Sequence, residues 1–449
     1  MAGEAPPIPS LSDRRLDTPT REALLQRYAW TVQYSRVVLA AEAILVVSVL
    51  AWSFYRGFNF REPAPWIAFS IGFFGSFRWI LNHVFLNKKR LAEIRPEARF
   101  GVHTRDSLLA LSDRVFARLG LPPHSAPVFI TRDKDVNAQA VRFELWPGYH
   151  AFNGVFLNRS ILHLLDEAEL GSVIGHELGH VFPYAPLLSR CQLVHATFIG
   201  VTAFCIASWF PHLATAIVVP GALLWIMPWI IAYPHIQLSR GIEFLCDDYG
   251  AQAVGLLPAL KCELKIAAEN DVRNQLLTRA LEAKVQGSSL SLEELIAAYQ
   301  EAVPFGATDR EHFAQELSRI VRDKETANQG LSLGGFLSYL GDGGKGDEPE
   351  ALEWVKKHVE QQAILNQLPV LNWDPVRILQ TDQSWTLSEA ERLLTAIEAQ
   401  PDRLLFPTLV EMDDRSSTHP NTSRRMLYLW RNRHHFPVGG HPTSPRNEQ

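Results

Sequence analysis

Apolar residues are not spread evenly along this chain; they gather into four long runs arranged as two pairs. Residues 37–55 and 66–85 make the first pair, 193–210 and 213–233 the second. About twenty apolar residues cross the hydrocarbon core of a bilayer, so the pattern predicts four transmembrane helices in two hairpins. Aromatic residues near the ends of the runs fit interfacial belts. Helices apolar all round at this length are uncommon in soluble domains. The first run begins only at Val37, behind a polar, Pro-containing stretch, and is too long for a signal-peptide core, so it reads as an uncleaved anchor.

Between and beyond the runs the periodicity changes. A helix is expected over 104–119, closed by Gly120, then short strands over 127–131, 138–143 and 151–157. Acidic residues at 166, 167 and 169 read as the first turn of a helix that continues through His180. Beyond Glu243 the chain turns charged and helical to about residue 320. The run GDGGKGDE lacks the spacing of a phosphate-binding loop and reads as a flexible linker. Thr386 and Glu389 form a capping box for a helix through Ile397. The resulting division is a disordered tail at 1–30, a first membrane hairpin at 31–90, a soluble part at 91–190 and a second hairpin at 191–240. A second soluble part follows at 241–329, then a helical insertion of unassigned role at 330–399, a closing part at 400–436 and a tail at 437–449.

Composition changes this picture little, because a mean hydropathy near zero averages over the segregation. The net charge of −5 gives no reason to expect a nucleic-acid partner. Four cysteines without a C-x-x-C pair require no disulfide, which suits a reducing compartment. Basic residues are more telling. Arg14, Arg15, Arg21, Arg27 and Arg36 precede the first run, and Lys88, Lys89, Arg90, Arg95 and Arg99 follow the second. The connector Pro211-His212 carries none. The positive-inside rule therefore places both termini and the motif-bearing region on the cytoplasmic side, and a cell (inner) membrane is the expected location. Glu42, Arg78, His83 and His195 lie in or near the runs and read as helix-pairing or snorkelling groups rather than catalytic ones.

The chemistry sits in Gly175-His176-Glu177-Leu178-Gly179-His180, which spells H-E-x-x-H. Four residues is about one helical turn, so His176 and His180 share a face and can both offer a nitrogen to one Zn²⁺. Glu177 beside them suits a general base rather than a ligand. A catalytic zinc takes three protein ligands, and the acidic motif from Glu243 to Asp247 completes the set. Gly175 and Gly179 cost helix propensity, which is explicable if bulk there would obstruct metal or substrate.

These motifs resemble those of the membrane-embedded zinc metallopeptidases that include the heat-shock protease HtpX and the CAAX prenyl endopeptidase, with a layout closer to the former. Asn137-Ala138-Gln139-Ala140 resembles the family's N-A-F-A edge strand, and Thr418-His419-Pro420 with Arg425 resembles its T-H-P-P-x-x-x-R segment. Gln139 and Asn421 depart from the pattern and bear on subsite shape rather than chemistry. The resemblance implies an α+β, mainly helical fold with a zincin-like peptidase domain. It also implies one Zn²⁺ per chain on His176, His180 and Glu243, and Glu177 as catalytic base. Asp247 would fix a ligating imidazole, Arg425 would pair with an acidic residue, and His419 would stabilise the oxyanion. Asn137 and Ala138 would bind substrate by strand addition. The expected activity is endoproteolysis of membrane or membrane-proximal proteins, as in quality control, with protein or peptide substrates and the lipid bilayer as partners. The alternatives are a dedicated CAAX-type processing protease and a non-catalytic membrane scaffold with a structural zinc fold.

Overall fold

The computed structural model describes residues 16–57, 61–84, 88–131, 136–142, 144–146, 149–150, 153–185, 187–210, 212–288, 290–291, 294–296, 298–299, 315–323, 349–379, 385–412 and 419–437. The linker GDGGKGDE, Thr418 and residues 438–449 lie outside these.

The chain is mainly helical. Helix α1 spans Arg21–Arg56 and α2 spans Pro63–Val84. Thr20 caps α1 by accepting a hydrogen bond from the Ala23 amide, so residues 21–30 are helical where a disordered tail was expected. The reason is tertiary: Leu24 is buried against Tyr184, Phe244, Leu245 and Tyr428, and the Arg21 Nε donates to Asp248 at 2.7 Å.

A core of mixed strands and helices follows. Strands β1 (Lys88–Arg90), β4 (Val128–Thr131), β5 (Ala138–Val141) and β8 (Gly154–Asn158) form one sheet in the order β1-β4-β8-β5. β4 runs parallel to β8 and β5 antiparallel, which leaves β5 at an edge. Two-residue and three-residue strands pair beside it, β2 (Arg99–Phe100) with β3 (His103–Thr104) and β6 (Glu144–Trp146) with β7 (Tyr149–His150). Helix α3 (Arg105–Arg118) is capped by Thr104, and Gly120 takes the left-handed conformation that ends it (φ +67°). After the short α4 (Arg159–Leu164), α5 (Glu167–Val181) opens with a capping box in which Asp166 and Glu169 satisfy each other's amides.

Helices α6 (Leu187–Arg190) and α7 (Gln192–Trp209) lead to α8, which runs without a break over Leu213–Val254. The fourth apolar run and the acidic motif are therefore one helix, not a hairpin arm joined to a separate element. Among the described residues one helix, α1, is long and apolar enough to cross a membrane, and 193–209 and 213–226 are shorter apolar stretches. Helices α1, α2, α7 and α8 pack on one another. Small residues make part of the contact, with Ala64, Ala68, Ala203, Ala207 and Ala216 in one cluster and Gly72 against Gly200, and Val49, Phe204 and Cys205 form a second cluster. Glu42 and His195 join α1 to α7, Oε1 to Nδ1 at 2.6 Å. The side chains of Arg78 and His83 lie outside the description.

Helix α9 (Leu256–Val285) packs under α5 and α8, and residues 315–323 are also helical. Helices α10 (Pro349–Leu365), α11 (Pro375–Leu379), α12 (Leu387–Ala399), α13 (Leu409–Met412) and α14 (Thr422–Arg431) complete the chain. Thr386 caps α12 as its sequence predicts.

The glycines of α5 correct one expectation. A Cβ on Gly175 would lie 2.9 Å from the Gly250 Cα, and one on Gly179 would lie 2.9 Å from the Cys246 Sγ. Both positions face α8 rather than the metal side. Their missing side chains let the two motif helices approach backbone to backbone, and this fixes His176 and His180 against Glu243 and Asp247.

Candidate metal centre

Helices α5 and α8 each present one face to a shared centre. His176 and His180 are four apart on α5, Glu243 and Asp247 four apart on α8, and each pair projects from one side of its helix. The His176 and His180 Nε2 atoms are 3.3 Å apart. The Glu243 carboxylate lies 3.5 Å from the first and 3.3 Å from the second. Around a tetrahedral zinc with Zn–N bonds of about 2.0–2.1 Å, two ligand nitrogens sit about 3.3–3.4 Å apart. The two imidazole nitrogens therefore stand at the separation such an ion imposes, the Glu243 carboxylate brings an oxygen within 3.5 Å of each, and two imidazoles with one carboxylate are the donor types it takes.

The outer contacts orient these donors. The His176 Nδ1 lies 2.8 Å from Asp247 Oδ1, which turns its Nε2 toward His180 and Glu243. Arg425 Nε donates to Asp247 Oδ2 at 2.8 Å and a second guanidinium nitrogen reaches Oδ1. Its remaining nitrogen lies 2.7 Å from the Glu263 carboxylate. A chain of contacts thus runs from Glu263 through Arg425 and Asp247 to His176. Sequence reading did not single out Glu263; it stands on α9 in no motif, and only the packing of α9 under α14 reveals it.

Burial sets the charge states. Glu243 is pushed up by burial but held well below the usual carboxylate range by His180 and by hydrogen bonds from His176, His180 and His419. Burial pulls His176 down, and its bonds to Asp247 and Glu243 more than reverse this. Asp247 is pushed up by burial and brought below its ordinary value chiefly by Arg425. Glu177 lies beside the ligands at 7% exposure, and burial raises its carboxyl although His176 and His180 oppose the shift.

His419, expected to stabilise an oxyanion, here donates from Nδ1 to Glu243 Oε2 at 2.8 Å. The structure places it on the carboxylate of the centre, with its side chain 59% exposed at the mouth. Asn421 is buried and caps α14 by accepting from the Arg424 amide at 2.8 Å. It starts the helix that carries Arg425.

His176, Glu177, His180, Glu243, His419 and Arg425 open onto a cavity of about 1560 Å³. Edge strand β5 with the preceding Asn137 forms one wall through Asn137, Ala138, Gln139 and Ala140. The Asn137 Oδ1 accepts from the Ala138 amide at 2.9 Å. Arg142 and Arg190, which no motif marked, stand on the same cavity.

Residues 103–266 match the model of peptidase family M48, the family of the heat-shock protease HtpX and the CAAX protease. The match covers the segments around Asn137, His176 and Glu243 on which the resemblance was read, and it does not distinguish the two layouts. The family is one of metallopeptidases and its metal is zinc. The matched stretch contains α5, β5 and the acidic face of α8, and excludes α1, His419, Arg425 and α10. No curated protein and no solved structure matches the chain.

Proposed function

We propose that the chain is a membrane-anchored zinc endopeptidase acting on membrane or membrane-proximal proteins at the cytoplasmic face, in protein quality control. The observation that carries the reading is the convergence of His176, His180 and Glu243 at zinc-ligand separations, with Glu177 buried beside them and outside the ligand set. A purely structural site closes its fourth position and needs no base.

Zinc held by these three residues would supply a Lewis acid for a water and for the scissile carbonyl. Glu177 takes the water's proton and passes it to the leaving amine. Its carboxyl, raised by burial, is a stronger proton acceptor than an exposed one. Asp247 accepts from the His176 Nδ1 and so fixes the tautomer that leaves Nε2 free for the metal. Arg425 keeps Asp247 ionised and in place. His419 stands at the mouth, where a turn away from Glu243 brings it to a developing oxyanion. Edge strand β5 takes the substrate backbone by strand addition, which tolerates varied sequences.

Membrane attachment is supported by the surface of the helical bundle. The outward face of α1 carries Val37, Ile44, Val47 and Phe54 in the open, and α8 exposes Ile217, Val218 and Trp225. Small residues line part of the interior, as helix packing in lipid favours, and large apolar ones cover the outside. The basic flanks assign the soluble parts to the cytoplasmic side.

Elemental analysis tests the metal. About one zinc per chain is expected, with most of it lost in His180→Ala; folded protein devoid of zinc would overturn the reading. Reporter fusions after Arg36 and at His212 test the membrane arrangement. They should report opposite sides, and a cytoplasmic signal at His212 would remove the second hairpin.

A further inference from the structure

The cavity does not stop at the metal centre. It follows one face of α9, where Glu263, Ile266, Asn270 and Asn274 line it at helical spacing. From Glu263 to Asn274 the helix rises about 16 Å. There α10 closes the wall. Asn274 Nδ2 donates to Gln362 Oε1 at 2.8 Å, and Gln362 Nε2 donates to the Pro407 carbonyl at 3.1 Å. Leu365, Leu404 and Met412 pack together at the same junction, so α10 is fixed to α9 and to the 404–412 segment.

One turn before Gln362, His358 lines the cavity together with Gln361. Its ring stacks on Trp354, centroids 5.4 Å apart and planes 20° from parallel. Among the described residues, the buried Nε2 of His358 has no hydrogen-bond partner. Burial lowers the imidazole below its ordinary value, so it stands neutral. The charged groups at this end are engaged by the protein: Arg273 Nε donates to Glu269 at 2.8 Å, and Asp271 Oδ2 accepts from Gln275 at 2.9 Å. Asn270 and Gln361 add neutral amides.

We propose that His358 and Gln361 on α10, with Asn270 on α9, form a subsite for an uncharged hydrogen-bonding side chain of the substrate: Asn, Gln, Ser or Thr. An extended peptide advances about 3.3 Å per residue. The subsite therefore receives a residue about three to six positions from the bond that is cut. An apolar side chain there leaves the buried Nε2 unsatisfied, and a charged one loses its hydration without gaining an opposite charge. The inference rests on the peptidase reading of the metal centre. It gives the insertion a role, since α10 lies outside the residues that match the family.

The test is cleavage-site profiling of the full chain in detergent, with peptide libraries randomised three to six positions to either side of the cut. Wild type should favour Asn, Gln, Ser or Thr over Leu by about tenfold at one of these positions, the effect of one hydrogen bond. His358→Leu should abolish or invert that preference while zinc content stays at wild-type level. Gln361→Leu should weaken the same preference and serves if the first variant fails to fold. An identical profile in wild type and both variants overturns the subsite, and so does a preference for Lys or Arg, which would put Asp271 in control. If wild type cuts no peptide, the peptidase reading fails separately. Binding of labelled Gln and Leu peptides to Glu177→Gln then judges the subsite alone: about tenfold tighter binding of the Gln peptide supports it, and equal binding overturns it.

Discussion

Asp247 stands between His176 and Arg425, with one carboxylate oxygen 2.8 Å from the imidazole Nδ1 and the other 2.8 Å from the guanidinium Nε. The carboxylate thus holds the ring's orientation, and the arginine holds the carboxylate. Asp247→Asn keeps the shape but weakens both contacts. Zinc affinity should fall about 10–100-fold while the fold persists. Competition with a chelator of known affinity measures this, and an unchanged dissociation constant would detach Asp247 from the metal.

Arg425 bridges two buried carboxylates, Asp247 and Glu263. Arg425→Met leaves both without this cation, and removing one partner of a buried pair costs about 3–5 kcal/mol. Denaturant unfolding in detergent should show that loss. Adding Glu263→Gln should recover little of it, because burial keeps the Glu263 carboxyl protonated once Arg425 is gone and the loss falls on Asp247.

Glu263 also carries the clearest pH signature. Burial pushes its carboxyl up to about 7, against the lowering effect of Arg425. The folded chain therefore holds a proton that the unfolded chain, titrating near 4.5, has already lost. Stability from this group is complete below the unfolded value and falls as pH rises through about 7. In zinc-stripped protein, Glu263→Gln should gain stability relative to wild type between about pH 5 and about pH 8. A difference independent of pH would mean that Glu263 titrates normally.

Gly175→Ala isolates the packing of the two motif helices. Alanine favours a helix by about 1 kcal/mol over glycine, yet its Cβ would meet the Gly250 backbone at 2.9 Å. Net destabilisation of about 1–3 kcal/mol is expected, visible as a lower Tm. A raised Tm would show that α5 and α8 can separate at no cost.

Local signals made much of this legible in the sequence. Asp166 and Glu169 mark the start of α5, Thr104 and Gly120 bound α3, and Thr386 starts α12, because caps are set by neighbours in the chain. The shared face of His176 and His180 was readable from their spacing, since one helical turn puts the pair on one side, while the parts of Glu243 and Asp247 were implied by the resemblance of their motif. What escaped was tertiary. The helical start of α1 depends on Leu24 and Arg21 meeting α8, the glycines of α5 on its approach to α8, and the wall of α10 on Asn274 meeting Gln362. None of these has a signature within a short window of sequence. Glu263 is the plainest case, an ordinary helical glutamate until α14 brings Arg425 to it.

The central claim is that Glu177 transfers a proton and binds no metal. Its most direct test compares wild type with Glu177→Gln for zinc content and for cleavage of an unfolded casein-like substrate in detergent. Glu177→Gln should keep its zinc and lose about 10²–10⁴-fold in turnover, the usual contribution of a general base. Cleavage by Glu177→Gln at the wild-type rate would contradict the peptidase account, and loss of zinc along with activity would contradict the role assigned to Glu177.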